Sequence, residues 1–169
     1  MRHSKPVVTP DVPRADWALS HDGRTLAAEL GKRLQLQADF HVIASTELKA
    51  VQTAELLGAG SVTVDKRLVE IEKPWYDEAQ AHAQAVTKYL SGEHLDAWEP
   101  QGDALARFTA VIDDHATSSL ILVTHGTVLS LWLAQVLSNF DAAAFWSSLT
   151  MPDAYSVETG NSVGGLKRR

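Results

Sequence analysis

The chain has 169 residues, 45% of them hydrophobic, with a formal charge of −6 and a pI near 5.6. That is enough apolar material for one globular domain spanning 1–169, and the acidic balance excludes the basic face of a general nucleic-acid binder. Cysteine is absent, which excludes a disulfide framework and thiol chemistry and fits a reducing, cytoplasmic setting. No apolar run reaches the length of a membrane span, and the first residues lack the apolar core of a signal peptide.

In chain order, Pro6, Pro10 and Pro13 make residues 5–18 an ordered loop rather than a helix. Ser20 is a good N-cap with Asp22 behind it, and Leu26, Leu30 and Leu34 recur at helical spacing, so a helix is expected over 21–35. Phe40 to Ala44 reads as a strand. Ser45 or Thr46 then caps a helix over about 47–57 that Gly58 ends, and Val62 to Val64 reads as a weaker strand. Two strands around a helix form a parallel crossover unit. Pro74 and Pro100 interrupt the stretch 73–100, where Val86, Tyr89 and Leu90 make a helical patch. Helical periodicity returns over 103–115, and Leu120 to Thr124 is the clearest strand of the chain. A strongly apolar helix after Gly126, a helix near 141–149 and a strand near 154–158 follow. The basic end Lys167-Arg168-Arg169 reads as solvated and frayed. The alternation predicts an α/β fold, a three-layer sandwich whose mostly parallel central sheet carries helices on both faces. Ligands of such sheets lie at the carboxyl ends of the strands, here at His125 and the 45–49 turn.

Taken singly, His21, His41, His82, His94 and His115 have no pattern around them and read as structural or solvated. No histidine pair has the spacing of a zinc motif, so no metal and no other cofactor is expected. Arg2-His3 and Val123-Thr124-His125-Gly126 are different: each puts a histidine at the mouth of a loop or helix, and together they can cage a phosphoryl group.

Arg2-His3, Ser45-Thr46-Glu47-Leu48-Lys49-Ala50-Val51-Gln52-Thr53-Ala54, Leu68-Val69-Glu70 and His125-Gly126 occur in that order. Together with the helix start Leu19 to Arg24, this pattern resembles the histidine phosphatase superfamily, phosphoglycerate-mutase-like branch, from residue 1 to about 158. The resemblance implies a metal-independent phosphomonoester hydrolase that works through a phosphohistidine intermediate. His3 would be the nucleophile, Arg2 a bidentate clamp on the phosphoryl oxygens, and His125 the second imidazole, supported by free backbone N–H groups at Gly126 and Thr127. Glu70 would protonate the leaving oxygen and then activate water, which calls for a raised pKa, with Glu72 as the competing assignment.

Two departures stand out. Lys49 takes the place of a second arginine, keeping the charge without the planar fork. Thr9 stands where an asparagine or hydroxyl residue contacts substrate, and Ser4 replaces a glycine. The expected substrate is a phosphorylated small molecule, with no nucleic-acid or membrane partner. A phosphoprotein (phosphohistidine) phosphatase, or a degenerate phosphate-binding member without turnover, are the alternatives. Pocket walls are expected from Lys5, Arg14 and Trp17 and from Trp75, Tyr76 and Trp98, with Trp75 at the rim and Trp132 and Trp146 in the core. Finally, members of this family carry an apolar strand ahead of the Arg-His pair, where here only Met1 stands. Either the physiological start lies upstream or residues 1–8 pair with the sheet in a displaced position, and in both cases His3 is expected to be loosely held.

Overall fold

The computed structural model describes residues 1–36, 40–116, 119–158 and 165–169. Three parallel strands form its sheet: β1 (His41–Ser45) in the centre, with β2 (Val62–Asp65) on one side and β3 (Leu120–Val123) on the other. Val42 pairs with Val62 and with Ile121, so the three strands end level at one edge. The period-two alternation of β1 separates two cores. Val42 and Ala44 face α1 (His21–Leu34) and α2 (Leu48–Leu56), packing with Leu30, Ala50 and Ala54. Ile43 faces the opposite layer, built from α3 (Ala79–Leu90), α4 (Gln101–Asp113) and α5 (Gly126–Val136), through Val86, Phe108, Val111 and Val128. α6 (Ala142–Ser148) packs beside α3 and α5. This is the expected three-layer α/β arrangement. No helix among the described residues is long and apolar enough to cross a membrane.

The expected helices and strands appear with small boundary shifts. Ser20 caps α1 as expected, its Oγ accepting the Gly23 N–H at 3.0 Å. The cap of α2 is Glu47 rather than Ser45 or Thr46, and its side chain is engaged elsewhere. The basic end is not frayed. β5 (Leu166–Arg168) pairs antiparallel with β4 (Tyr155–Val157), and Arg168 reaches Asp153 at 2.8 Å.

The N-terminus completes the sheet at one end. Thr124 N donates to Met1 O and His3 N donates to Thr124 O, both at 2.9 Å, which continues the parallel ladder beyond β3. On its other side Arg2 bridges Asp153 in the antiparallel sense, its N donating to Asp153 O at 2.8 Å. The Met1 terminal amine donates to Leu122 O at 2.6 Å, and burial lowers its pKa to about 5. Beneath Met1, between β3 and β4, lies a half-open pocket of about 170 Å³ lined by Phe108, Leu120, Leu122, Trp132 and Val157, with His115 and Tyr155 at its wall. His3 is nevertheless buried and bonded at its backbone, which corrects the expectation that it is loosely held.

Candidate active site

The nucleophile candidate is fixed from several directions by short-range sequence choices. Ser4 N donates to Thr53 Oγ1 at 2.9 Å, and Ser4 Oγ donates to Gly23 O at 2.7 Å. Ser20 N donates to Lys5 O at 3.0 Å. These bonds lay the segment after His3 across the start of α1. The approach is close enough that a Cβ on Gly23 would stand 2.1 Å from the Lys5 carbonyl oxygen, so only glycine fits there. Ser4 is therefore an anchor that a glycine could not supply.

His3 Nδ1 lies 2.7 Å from Ser4 O. A carbonyl only accepts, so Nδ1 carries the hydrogen and Nε2 keeps the lone pair. Burial, and after it the neighbouring His125, hold the His3 pKa well below its ordinary value against the effect of the Ser4 carbonyl. The ring is a neutral base. His125 stands with its ring centroid 5.0 Å from that of His3, delivered by the turn from β3 into α5. It is 1% exposed, and burial foremost lowers its pKa to about 3. Its Nε2 faces Ser45 Oγ at 2.9 Å and Glu47 Oε1 at 3.2 Å.

Glu70 is in the cage, and Glu72 is exposed outside it. Its protonation is the reverse of the expectation. Burial pushes the Glu70 pKa up, but Lys73, His125 and the backbone N–H groups of Ile71 and Thr127 outweigh it, and the carboxyl lies well below the usual range. Oε1 accepts from Ile71 N at 2.9 Å and Val128 N at 3.0 Å, and Oε2 accepts from Thr127 N at 3.1 Å. Glu70 thus caps α5, where a negative charge meets the positive end of the helix. The Thr127 N–H, expected to be free for phosphate, is occupied by this carboxylate.

Lys49 is buried and its ammonium bonds Glu47 Oε2 and Arg14 O, the latter at 2.8 Å. Arg2 stacks beside Gly126, where a Cβ would come within 3.4 Å of its Nε. Its Nη1 donates to Leu149 O at 3.3 Å. Among the described residues, the buried side-chain polar atoms lacking any partner are Arg2 Nε and His125 Nδ1. Both belong to the cage, and a buried polar atom without a partner is destabilising unless a ligand completes it. Thr9 lies apart: it is exposed and offers its carbonyl to Trp17 Nε1 at 3.0 Å. Trp17 and Trp75 meet edge to face at 5.9 Å, with the Arg14 guanidinium 5.4 Å over Trp75, at an exposed rim. Trp98 is buried in the core, and Trp146 packs against the core as expected while its indole edge also stands beside Gly126.

Two residues given no role in the sequence reading join the cage, Glu47 and Lys73, and a third, His82, lies behind Trp146. Glu47 sits inside the Ser45–Ala54 motif; a carboxylate next to a required cation was the available signal. Lys73 lies in the stretch whose periodicity is broken by Pro74. Its Nζ is 3.5 Å from Glu70 Oε2, and burial, against the pull of Glu70, lowers its pKa. His82, read as structural, has its ring 5.8 Å from both Tyr76 and Trp146, and burial and then Lys73 lower its pKa. Nothing local in the sequence marks it.

The sequence profile of the histidine phosphatase superfamily, branch 1, matches residues 1–159. No curated protein matches the sequence. Solved structures share the fold at low identity. One, described as an alpha-ribazole-5′-P phosphatase of Escherichia coli, superposes with a TM-score of 0.74 at 19% identity, covering 99% of this chain and 92% of its own. Bacillus stearothermophilus YhfR gives 0.72 at 23% identity, covering 99% and 93%. The mycobacterial glucosyl-3-phosphoglycerate phosphatase with inorganic phosphate gives 0.72 at 22%, covering 99% and 92%.

Proposed function

The chain belongs to the histidine phosphatase superfamily, branch 1, and we propose that 1–169 is one such domain, that it hydrolyses phosphoric monoesters and that His3 carries the phosphoryl group. The observation that carries this reading is the pair of partnerless buried atoms, Arg2 Nε and His125 Nδ1, beside a neutral His3. In the first step the Nε2 lone pair of His3 attacks phosphorus, the P–N bond forms and the ester P–O bond breaks. The Ser4 carbonyl, accepting from Nδ1, favours the cation that develops on the ring. Arg2, Lys49 and the His125 ring face the charge that spreads over the phosphoryl oxygens, so no metal ion is required for that task. Water then attacks phosphorus, the P–N bond breaks and His3 is regenerated.

Glu70 is ionised at rest, so it serves as the base for water in the second step. The proton for the leaving oxygen in the first step then comes from the Lys73 ammonium beside Glu70, which is recharged by the proton that Glu70 takes from water. Glu70→Gln is therefore expected to slow hydrolysis of the phosphohistidine that alkyl and aryl phosphates share, so that labelled phosphoenzyme accumulates with either substrate. Quenched labelling should place an acid-labile, base-stable phosphoryl group on the His3 peptide, and activity should survive EDTA. Label on a serine would overturn the assignment.

The substrate is proposed to be a phosphorylated small molecule, admitted past Arg14, Trp17 and Trp75, in a cytoplasmic setting. One observation favours binding without turnover: the Lys49 ammonium already has two protein partners. Turnover of p-nitrophenyl phosphate that vanishes in His3→Ala decides for the enzyme. A screen of phosphorylated metabolites alongside phosphohistidine peptides then separates small-molecule from phosphoprotein action.

A further inference from the structure

The Glu47 side chain touches three members of the cage, Lys49, Glu70 and His125, and the reaction outlined above gives it no part. It is 8% exposed. Its Oε2 is ion-paired with Lys49, and its Oε1 accepts the Glu70 N–H at 2.9 Å and lies 3.2 Å from His125 Nε2. Ser45 Oγ, 2.9 Å from the same nitrogen, is also 3.3 Å from the Glu47 N–H that donates to it. Ser45 Oγ is the hydrogen-bond partner of Nε2, and with the Glu47 carboxylate 3.2 Å away a lone pair on Nε2 would be repelled, so the hydrogen is favoured there and the lone pair of the neutral ring falls on Nδ1. Nδ1 is the atom that is buried without a partner.

We propose that Glu47 is the positioning residue of His125: it fixes the Nε2–H tautomer and turns Nδ1 toward the phosphoryl group. This rests on the phosphohistidine reading of the site. A bare lone pair repels a phosphoryl oxygen, so Nδ1 must gain a proton as the substrate binds. A monoester monoanion supplies it: the O–H proton moves to Nδ1, the ester becomes the dianion, and the imidazolium donates to it with no net change of charge. The Glu47 carboxylate behind Nε2 stabilises that imidazolium, as a carboxylate does behind a ligating or catalytic imidazole elsewhere.

The charged groups facing His125 set the balance. Glu47 and Glu70 favour the cation, while Lys49, Lys73 and Arg107, together with Arg2 and His3 on the N-terminal segment, oppose it. In the free protein the opposing groups and burial win and the ring is neutral. A phosphoryl group tips the balance, and Glu47 lowers the requirement. By binding Lys49 as well, the same carboxylate holds the second imidazole and the second cation at one fixed separation.

The test has a readout independent of turnover. Long-range ¹H–¹⁵N spectra of the free wild-type protein should show His125 as the Nε2–H tautomer, and the Nδ1–H tautomer would overturn the proposal. In Glu47→Gln, which keeps the shape and an acceptor for the Glu70 N–H, kcat for p-nitrophenyl phosphate should fall roughly 10- to 100-fold with KM changed little. The alkaline fall of its kcat–pH profile should also move to lower pH by about one unit, as expected when a favourable charge is lost. A merely structural role would lower kcat at every pH without moving that limb, and an unmoved limb overturns the proposal. Should Glu47→Gln not fold, the wild-type tautomer decides. Should His3→Ala retain turnover, the phosphohistidine reading fails while the tautomer result stands by itself.

Discussion

The two ends of the segment Met1–Ser4 are built to different standards. At Ser4 backbone and side chain are all paired: the N–H with Thr53, the hydroxyl with Gly23, the carbonyl with the His3 ring. At Met1 the segment borders a half-open pocket of about 170 Å³, and its terminal amine, with its pKa lowered to about 5 by burial, lies against Leu122 O. The difference shows where the nucleophile is held. His3 is held through Ser4 and Lys5 by α1 and α2, with Thr124 beside it. Catalytic geometry and sheet packing are thus separable in this molecule, and each can be perturbed without the other.

The largest expected effect removes the nucleophile itself. His3→Ala should abolish turnover of p-nitrophenyl phosphate, by roughly 10³-fold or more, because the other neutral imidazole, His125, takes a proton from the bound ester and donates to it instead of attacking phosphorus. The melting temperature should fall only modestly, since the backbone bonds to Thr124 remain. The pH dependence carries the same signature. A nucleophile whose pKa lies well below the ordinary histidine value stays unprotonated as pH falls, so kcat/KM should show no loss near pH 6.5 on the acid side. A conventional fall there would mean that His3 is solvated.

Gly23→Ala attacks the support from α1. The added Cβ would meet Lys5 O at 2.1 Å, a backbone atom that cannot swing aside. Either α1 or the His3 segment must shift by about 1 Å, and a displacement of that size is worth about 10²-fold in rate. If activity is unchanged while stability drops, α1 moved and the nucleophile is held otherwise.

Much of this architecture was legible beforehand, and the reasons are physical. Ser20 at the start of a Leu26–Leu30–Leu34 stripe announced α1, and Leu120 to Val123 could be little other than a buried strand. Arg2, His3, Lys49, Glu70, His125 and Gly126 are all drawn together by the fold, and Thr9 is not. What stayed hidden depends on contacts between distant residues. The ionisation of Glu70 is set by the amino end of α5 and by Lys73, neither of which a Leu-x-Glu motif reveals. Likewise His82 meets Trp146 only through the packing of α3 on α6, and the pairing of Lys167-Arg168 with β4 requires a partner strand that sequence patterning did not connect to it.

Lys49 is expected to matter less than Gly23 or about as much. Lys49→Ala removes one charge-assisted contact, on the order of 2–3 kcal/mol, or a factor of about 30–150 in kcat/KM. It also leaves Glu47 without its cation, so stability should fall too. Lys49→Arg restores the charge with a planar fork and should keep or raise activity. Wild-type kinetics in both variants would place the ammonium outside the phosphoryl contacts, consistent with its being satisfied by Glu47 and Arg14.

The smallest expected effect on turnover comes from the other end of the comparison. Joining about five apolar, β-prone residues to Met1 would give β3 a new parallel neighbour along Leu120 and Leu122, and it would replace the buried terminal amine by a peptide N–H. Filling the pocket at about 24 cal/mol per Å³ is worth at most about 4 kcal/mol, less the entropy of ordering the added residues. The melting temperature should therefore rise by several degrees or more. Turnover should change less than about twofold, because His3 already has its bonds to Thr124 and Ser4 in place. A large gain in kcat would show that the strand, not α1 and α2, governs the nucleophile. An unchanged melting temperature would show that the pocket under Met1 does not accept a strand.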